Sequence, residues 1–577
     1  MFKQAIYHRP KNNFAYSYDD ETVHIRMRSM KTDLTNVILL HGDPYMCEDG
    51  IWQHTKKEMK YAGSDELFDY WFAEVKPPFR RLRYGFQCVS NETTAYYTER
   101  GFFDEAPGDS GAYFSFPFLN PADVFCAPHW VKETIWYQIF PERFDNGDST
   151  LNPPGTLPWG GVPERDNYFG GDFQGIINRL DYLQELGVNG IYFTPIFKAK
   201  TNHKYDTIDY MEIDPQFGDK KILKQLVREC HKRGIKVMLD AVFNHSGYYF
   251  GPFQDVVKNG EQSIYKDWFH IRKFPLQEGE TINYDAFGFE KIMPKFNTEN
   301  PEVRDYLLKV AAYWIEEFDI DGWRLDVANE VDHQFWRDFR RTVRAVKPDV
   351  YILGEIWHDS MPWLNGDQFD AVMNYRFSHA VVDFFAKGAI TAEEFKHEMI
   401  HILQSYPVSV NEAAFNLLGS HDTPRILTVA KENKENLMLA FLFTLSFQGS
   451  PCIYYGDEIG MTGEQDPGCR KCMIWDEEKQ DRDLFQFIQK LISFRRSIPV
   501  FGNGGDFTFK YLHPALISYV KSSRNEKMLL ILNPENKLIQ VDIPDEFIGA
   551  VNLWTNSPFT ERTSEIRQKH FLILHKK

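Results

Sequence analysis

Between residues 134 and 455 the chain alternates short, continuously apolar runs with longer stretches of helical periodicity, and this limits the possible fold more than anything else in it. Eight runs stand out: Thr134–Phe140, Gly190–Pro195, Lys236–Asp240, Gly322–Asp326, Tyr351–Glu355, Phe369–Met373, Phe415–Asp422 and Pro451–Tyr455. Runs of this length suit strands covered on both faces, as in a parallel sheet. Between them lie amphipathic segments such as Lys221–Cys230, and one that Asn300 can cap and Pro301 can open. Eight buried parallel strands, each followed by a helix, predict an α/β architecture, the (β/α)8 TIM barrel.

At 577 residues the chain is too long for one core. Residues 1–122 read as an N-terminal β-sandwich, with strand patterns at Thr22–Arg28, Asn36–Leu40 and Tyr84–Val89, and Phe118–Pro128 as a linker. Residues 504–577 return to strand patterns and predict a C-terminal β-sandwich. The barrel then occupies 123–503. Its stretch at about 246–295 is too long for a plain loop and has little helical period, which predicts an excursion domain over the barrel mouth.

A net charge of −17, from 82 acidic and 65 basic residues, repels polyanions and argues against nucleic acid. The longest apolar run, Leu437–Phe447, is too short to span a bilayer. The first residues lack the apolar core of a secretory signal, and seven scattered cysteines suit a reducing compartment, so a cytoplasmic location away from membranes is expected. Cys469 and Cys472 form one C-x-x-C without a second pair or nearby histidines, which favours packing over zinc or redox chemistry. Aromatic residues make up 16% of the chain, enough to supply flat faces for sugar rings, although core packing uses them too.

Four runs end in a carboxylate: Asp240, Asp326, Glu355 and Asp422. One such ending is unremarkable. Four on one barrel converge, because strand C-termini in this architecture open into a common bowl. Crowded carboxyls push their pKa values apart, as needed to keep one protonated beside an ionised neighbour. Cleaving a glycosidic bond with retention needs such a pair, roughly 5–5.5 Å apart, within reach of adjacent strands. Asp326 and Glu355 end consecutive runs, and Arg324, two residues before Asp326, points to the same side. Asp422, His203, His245 and His421 are candidates to grip sugar hydroxyls.

The segments Asp240–His245, Gly322–Glu330, Gly354–His358 and Ser420–Asp422 resemble, in order, the four conserved regions of the α-amylase family. Met293–Asn297 resembles a fifth region, in the form seen in the neopullulanase, cyclomaltodextrinase and maltogenic amylase group. The resemblance extends over essentially the whole chain, N-terminal β module included. It implies Asp326 as nucleophile, Glu355 as acid/base and Asp422 as the third carboxylate, orienting the sugar. It implies substrate-binding roles for Arg324, His203, Tyr205, His245 and His421. Asp466 and Arg470 would hold the non-reducing side, and Trp357 would form an acceptor platform. Asp240 would be support. The resemblance also implies a structural calcium site at Asn146, Asp148, Asn152, Gly170 and Asp172, whose oxygens suit a hard cation. Leu151 departs from the pattern there, and the alternative is a turn-rich loop without metal. A homodimer is implied as well, the N-terminal module of one subunit narrowing its partner's site. The substrates expected are cyclodextrins, pullulan and maltooligosaccharides, with transglycosylation. An ordinary α-amylase, an oligo-1,6-glucosidase and an inert glucan-binding subunit are the alternatives.

Overall fold

The computed structural model describes residues 1–577. All eight expected runs form strands of one parallel barrel. They are β1 (Trp136–Ile139), β2 (Gly190–Phe193), β3 (Lys236–Ala241), β4 (Gly322–Leu325), β5 (Tyr351–Gly354), β6 (Ala371–Val372), β7 (Phe415–Leu417) and β8 (Ser450–Tyr454). Neighbours pair in sequence order from β1 to β6, β8 joins β1 to β7, and a parallel bridge between Met373 and Phe415 closes the ring. Nearly every strand residue is buried, because helices cover the outside and layered side chains fill the inside.

Local chemistry fixes the covering helices. Asn300 caps helix Pro301–Phe318 by accepting from Glu302 N at 2.8 Å, with Pro301 in the first turn as the sequence predicts. Asp332 caps His333–Val346 in the same way, accepting from Phe335 N at 2.8 Å. Two readings need correction. The third-strand excursion contains a helix, Gly251–Asn259, whose apolar side chains Phe253 and Val256 are too few to mark a clear period. The seventh strand stops at Leu417, so Asp422 sits on the following loop instead of a strand end. The excursion returns to the barrel through an antiparallel bridge between His245 and Lys295.

The N-terminal unit packs a four-stranded sheet on a six-stranded one. Strand Val23–Met30 alternates faces: Val23, Ile25 and Met27 fill the sandwich core, while Arg26 points away. Arg26 Nη1 donates to Tyr406 O at 2.6 Å, docking the sandwich on the barrel. The C-terminal unit has a six-stranded sheet and the pair Ile539–Asp542 with Thr563–Ile566. No helix is long and apolar enough to cross a membrane.

Candidate active site

Three carboxylates surround one guanidinium at the C-terminal end of the barrel. Asp240 lies next to last in β3, while Asp326 and Glu355 directly follow β4 and β5, which pair at Leu325 and Gly354. Arg324 is fully buried. Its Nη1 donates to Asp326 Oδ1 at 2.7 Å and to both Asp240 oxygens at 3.0 Å. Its Nη2 lies 2.9 Å from Glu355 Oε2 but outside hydrogen-bond geometry, so it acts there as charge. Burial pushes the Asp326 carboxyl well above its ordinary range, and Glu355 and Asp240 push the same way against the pull of Arg324. Burial likewise raises Asp240 to about 6. Three carboxyls facing one permanent cation therefore retain a proton among them.

Val327, just after Asp326, has φ +45° and ψ +43°, a left-handed conformation rare for a β-branched residue. Its N–H donates to Glu355 Oε2 at 2.9 Å, so backbone strain is spent on joining the ends of β4 and β5. Trp357 Nε1 donates to Glu355 Oε1 at 3.2 Å, and its ring stacks on Tyr375 at 3.5 Å. Both donors suit a carboxylate.

A chain of polar contacts orders the opposite wall. Gln138 Nε2 lies 2.8 Å from His421 Nδ1, Tyr205 Oη 2.7 Å from His421 Nε2, and Tyr205 donates to Asp240 Oδ2 at 3.0 Å. With Gln138 donating, His421 carries its proton on Nε2. Burial and the cations Arg470 and Arg324 hold its pKa well below the ordinary value, so the ring is neutral. Arg470 Nη2 donates to Asp422 Oδ1 at 3.3 Å, and its Nη1 stands 3.1 Å from Asp466 Oδ1. His203 Nδ1 accepts from Tyr205 N at 3.1 Å, which leaves its Nε2 as the N–H donor. Across the cleft His245 stacks on Phe287 at 5.3 Å, and its buried Nε2 has no partner. Burial lowers both His203 and His245 to about 3, so both present neutral rings.

All the catalytic and substrate-binding candidates thus meet in one region, and apart from Arg324 and His421, which lie beneath it, they line a cleft of about 660 Å³. Sequence reasoning missed Gln138, Tyr192, Phe287 and Tyr375. Gln138 and Tyr192, which donates to Asp240 Oδ2 at 2.7 Å, sit inside apolar strand runs; a polar atom in such a run is the signal that could have found them. Phe287 and Tyr375 lie on connections where nothing local marks them. Cys469 and Cys472 are both buried behind this wall, Cys469 Sγ lying 3.2 Å from His421 O.

The sequence profile of the alpha amylase catalytic domain matches residues 138–504, and that of the alpha amylase N-terminal Ig-like domain matches residues 1–120. The chain belongs to the α-amylase family. It is a glycoside hydrolase. A cyclomaltodextrinase of Geobacillus thermopakistaniensis is 58% identical over 97% of this chain and 96% of its own. A maltogenic alpha-amylase of Bacillus acidopullulyticus is 56% identical over the whole of both chains. A solved cyclomaltodextrinase structure superposes with a TM-score of 0.95 at 49% identity, covering both chains fully.

The family resemblance implies a metal near the bowl, and the residues there fit one. Gly170, at φ +83°, leaves no room for a side chain: a Cβ would lie 2.2 Å from Asn152 Oδ1 and 2.4 Å from Asn146 Nδ2. Asn146 Oδ1 is buried without a partner. Asp172 is buried with no cation near it, accepts from Asp148 N at 2.7 Å and Gly147 N at 3.1 Å, and is raised by burial. Asp148, on the surface, accepts from Thr150 Oγ1 at 2.6 Å. Every donor is a hard oxygen, the set that suits calcium.

Proposed function

We propose that this enzyme cleaves α-1,4-glucosidic bonds, and some α-1,6 bonds, in cyclodextrins, pullulan and maltooligosaccharides, with retention and some transglycosylation. The observation that carries the reading is the buried Arg324, set between two carboxylates on adjacent strands. Asp326 attacks the anomeric carbon as Glu355 gives its proton to the departing glycosidic oxygen, so the C–O bond breaks while a glycosyl ester forms. Glu355 then takes a proton from water, or from a sugar hydroxyl in transglycosylation, and the oxygen displaces Asp326. Docking of the sugar favours the ionised nucleophile, and the resident proton of the cluster passes to Glu355. Asp422, held by Arg470, and the donors of His203, His245 and His421 grip the hydroxyls of the reacting sugar. Asp466 steadies Arg470. Trp357, stacked on Tyr375, offers a flat face to the acceptor.

Calcium belongs in this reading as a structural ion held by Asn146, Asp148, Asn152, Gly170 and Asp172; when bound it cross-links their loops and supplies no chemistry. A homodimer also belongs in it. The exposed Tyr45, Met46, Ile51 and Phe79 of the N-terminal unit, two of them under the Arg81 guanidinium, support an apolar interface there. Seven cysteines without a disulfide, two of them exposed, support a reducing, cytoplasmic setting. The test is product analysis with β-cyclodextrin, pullulan and soluble starch supplied separately. Fast ring opening, panose from pullulan and slower release of maltose from starch support the reading. Rapid starch depolymerisation with cyclodextrin untouched would make it an ordinary α-amylase.

A further inference from the structure

Away from the cleft, and sharing none of its residues, lies a larger cavity of about 980 Å³. It forms where the three units meet, between strand Lys60–Ser64, helix Ala392–Ser405 and strand Asp506–Phe509. The junction is tightly built. Gly63, at φ +103°, allows the strand to touch the helix, since a Cβ there would come within 2.6 Å of Ile400 Cδ1.

Its charge runs against that of the molecule. Arg26, Lys31, Lys396 and Arg524 line it, and none has a carboxylate oxygen within 4.0 Å. Lys31 Nζ faces the His397 ring at 2.9 Å, and Lys396 lies over the Tyr511 ring. Of the four lining carboxylates, Glu412 pairs with Lys132 and Asp506 with Lys60, while Glu74 and Glu393 each stand 3.9 Å from a histidine. In a chain of net charge −17, four unpaired cations in one concavity form a site for an anion.

Two buried atoms refine the ligand. Arg26 Nε and Gln404 Oε1 line the cavity without any hydrogen-bond partner, on residues only 3% and 8% exposed. Buried polar groups left unpaired are costly, so a ligand that satisfies both is favoured. One needs an acceptor and the other a hydroxyl. Inorganic phosphate at neutral pH meets the first need better than the second, and a neutral sugar leaves the cations unanswered. The rings of Tyr61 and Tyr511, 56% and 73% exposed at the rim, offer flat faces for a pyranose.

We propose that this three-way junction is a binding site for a phosphorylated sugar, the phosphoryl group answering the lysines and arginines and the sugar hydroxyls answering Gln404. A ligand there touches all three units and so stabilises their packing. Calorimetric titration of the intact enzyme with glucose 6-phosphate and glucose 1-phosphate tests it, with glucose and inorganic phosphate as separate titrants. At least one sugar phosphate is expected to bind ~10-fold or more tightly than either control, a difference of about 1.4 kcal/mol. Lys396→Ala is expected to weaken binding by ~10-fold while leaving ligand-free hydrolysis unchanged. Arg524→Ala, at an exposed position that cannot disturb folding, is expected to act in the same direction. The proposal is overturned if neither sugar phosphate binds, if inorganic phosphate or glucose binds equally well, or if both variants retain full affinity.

Discussion

Arg324 sets the balance of charge among the three bowl carboxylates, and the side chains around it divide by what they do to that balance. Asp240, doubly bonded to Arg324 and held by Tyr192 and Tyr205, has no lone pair left for a substrate and serves as its counter-charge. Asp326 and Glu355 keep exposure to the cleft. Glu355→Gln preserves the shape and both N–H contacts but lacks a transferable proton, so turnover of substrates with poor leaving groups should fall by ~10²–10⁴-fold. Steady-state rates on maltotriose check this, and near-normal turnover would remove Glu355 from the role. The carboxylates and histidines were legible because each stands at a polar break after an apolar run. Phe287 was not legible, because its place against His245 depends on how a fifty-residue excursion folds back.

At the scale of elements, Asp321 anchors the N-terminal ends of β3 and β4. It is buried and accepts from His231 Nε2 at 2.7 Å, Lys236 Nζ at 2.9 Å, Lys347 Nζ at 3.0 Å and Val237 N at 2.9 Å. Burial alone would raise its carboxyl, but these partners together hold it well below the ordinary 3.8. A carboxyl depressed in the folded state contributes stability above its unfolded pKa and loses that contribution as pH falls through the folded value. Asp321→Asn should therefore cost roughly 3 kcal/mol at pH 7, and the gap from the parent should narrow below about pH 4. Urea unfolding at both pH values reads it, and a pH-independent gap would count against the ion-pair account. The loops carrying Asn146 and Asp172 depend on calcium in the proposed reading. Chelation should lower the melting temperature by about 5 °C in the parent and hardly at all in Asp172→Ala. Identical melting curves with and without chelator would remove the ion. Strand existence was legible throughout, because burial on both faces writes itself as an unbroken apolar run. Strand length was not: β7 ends at Leu417 because Leu418 to Asp422 leave the ladder to build the cleft wall, and apolarity does not distinguish the two.

Across the whole molecule, the N-terminal sandwich is fixed to the barrel through Arg26 and the strand Lys60–Ser64, which leaves its Tyr45, Met46, Ile51 and Phe79 side free. If a second subunit covers that side, sedimentation at micromolar concentration should give a species of twice the chain mass of 67.8 kDa. Replacing Tyr45 and Phe79 by serine should shift it toward monomer, whereas a parent that sediments as monomer throughout would end the dimer proposal. The three-unit order was legible from the change of period between strand-only and strand-helix segments. Their docking was not, because the residues that join them, such as Arg26 and Gln404, lie some 380 positions apart in the chain.

The account rests on Asp326 forming a covalent bond to the sugar. The direct measurement is to treat the enzyme with a 5-fluoro-α-glycosyl fluoride, digest it and locate the label by mass spectrometry. One glycosyl unit per chain on the peptide carrying Asp326, absent from Asp326→Asn, is the predicted result. Label on another carboxylate, or turnover giving the inverted anomer with no label, would contradict it.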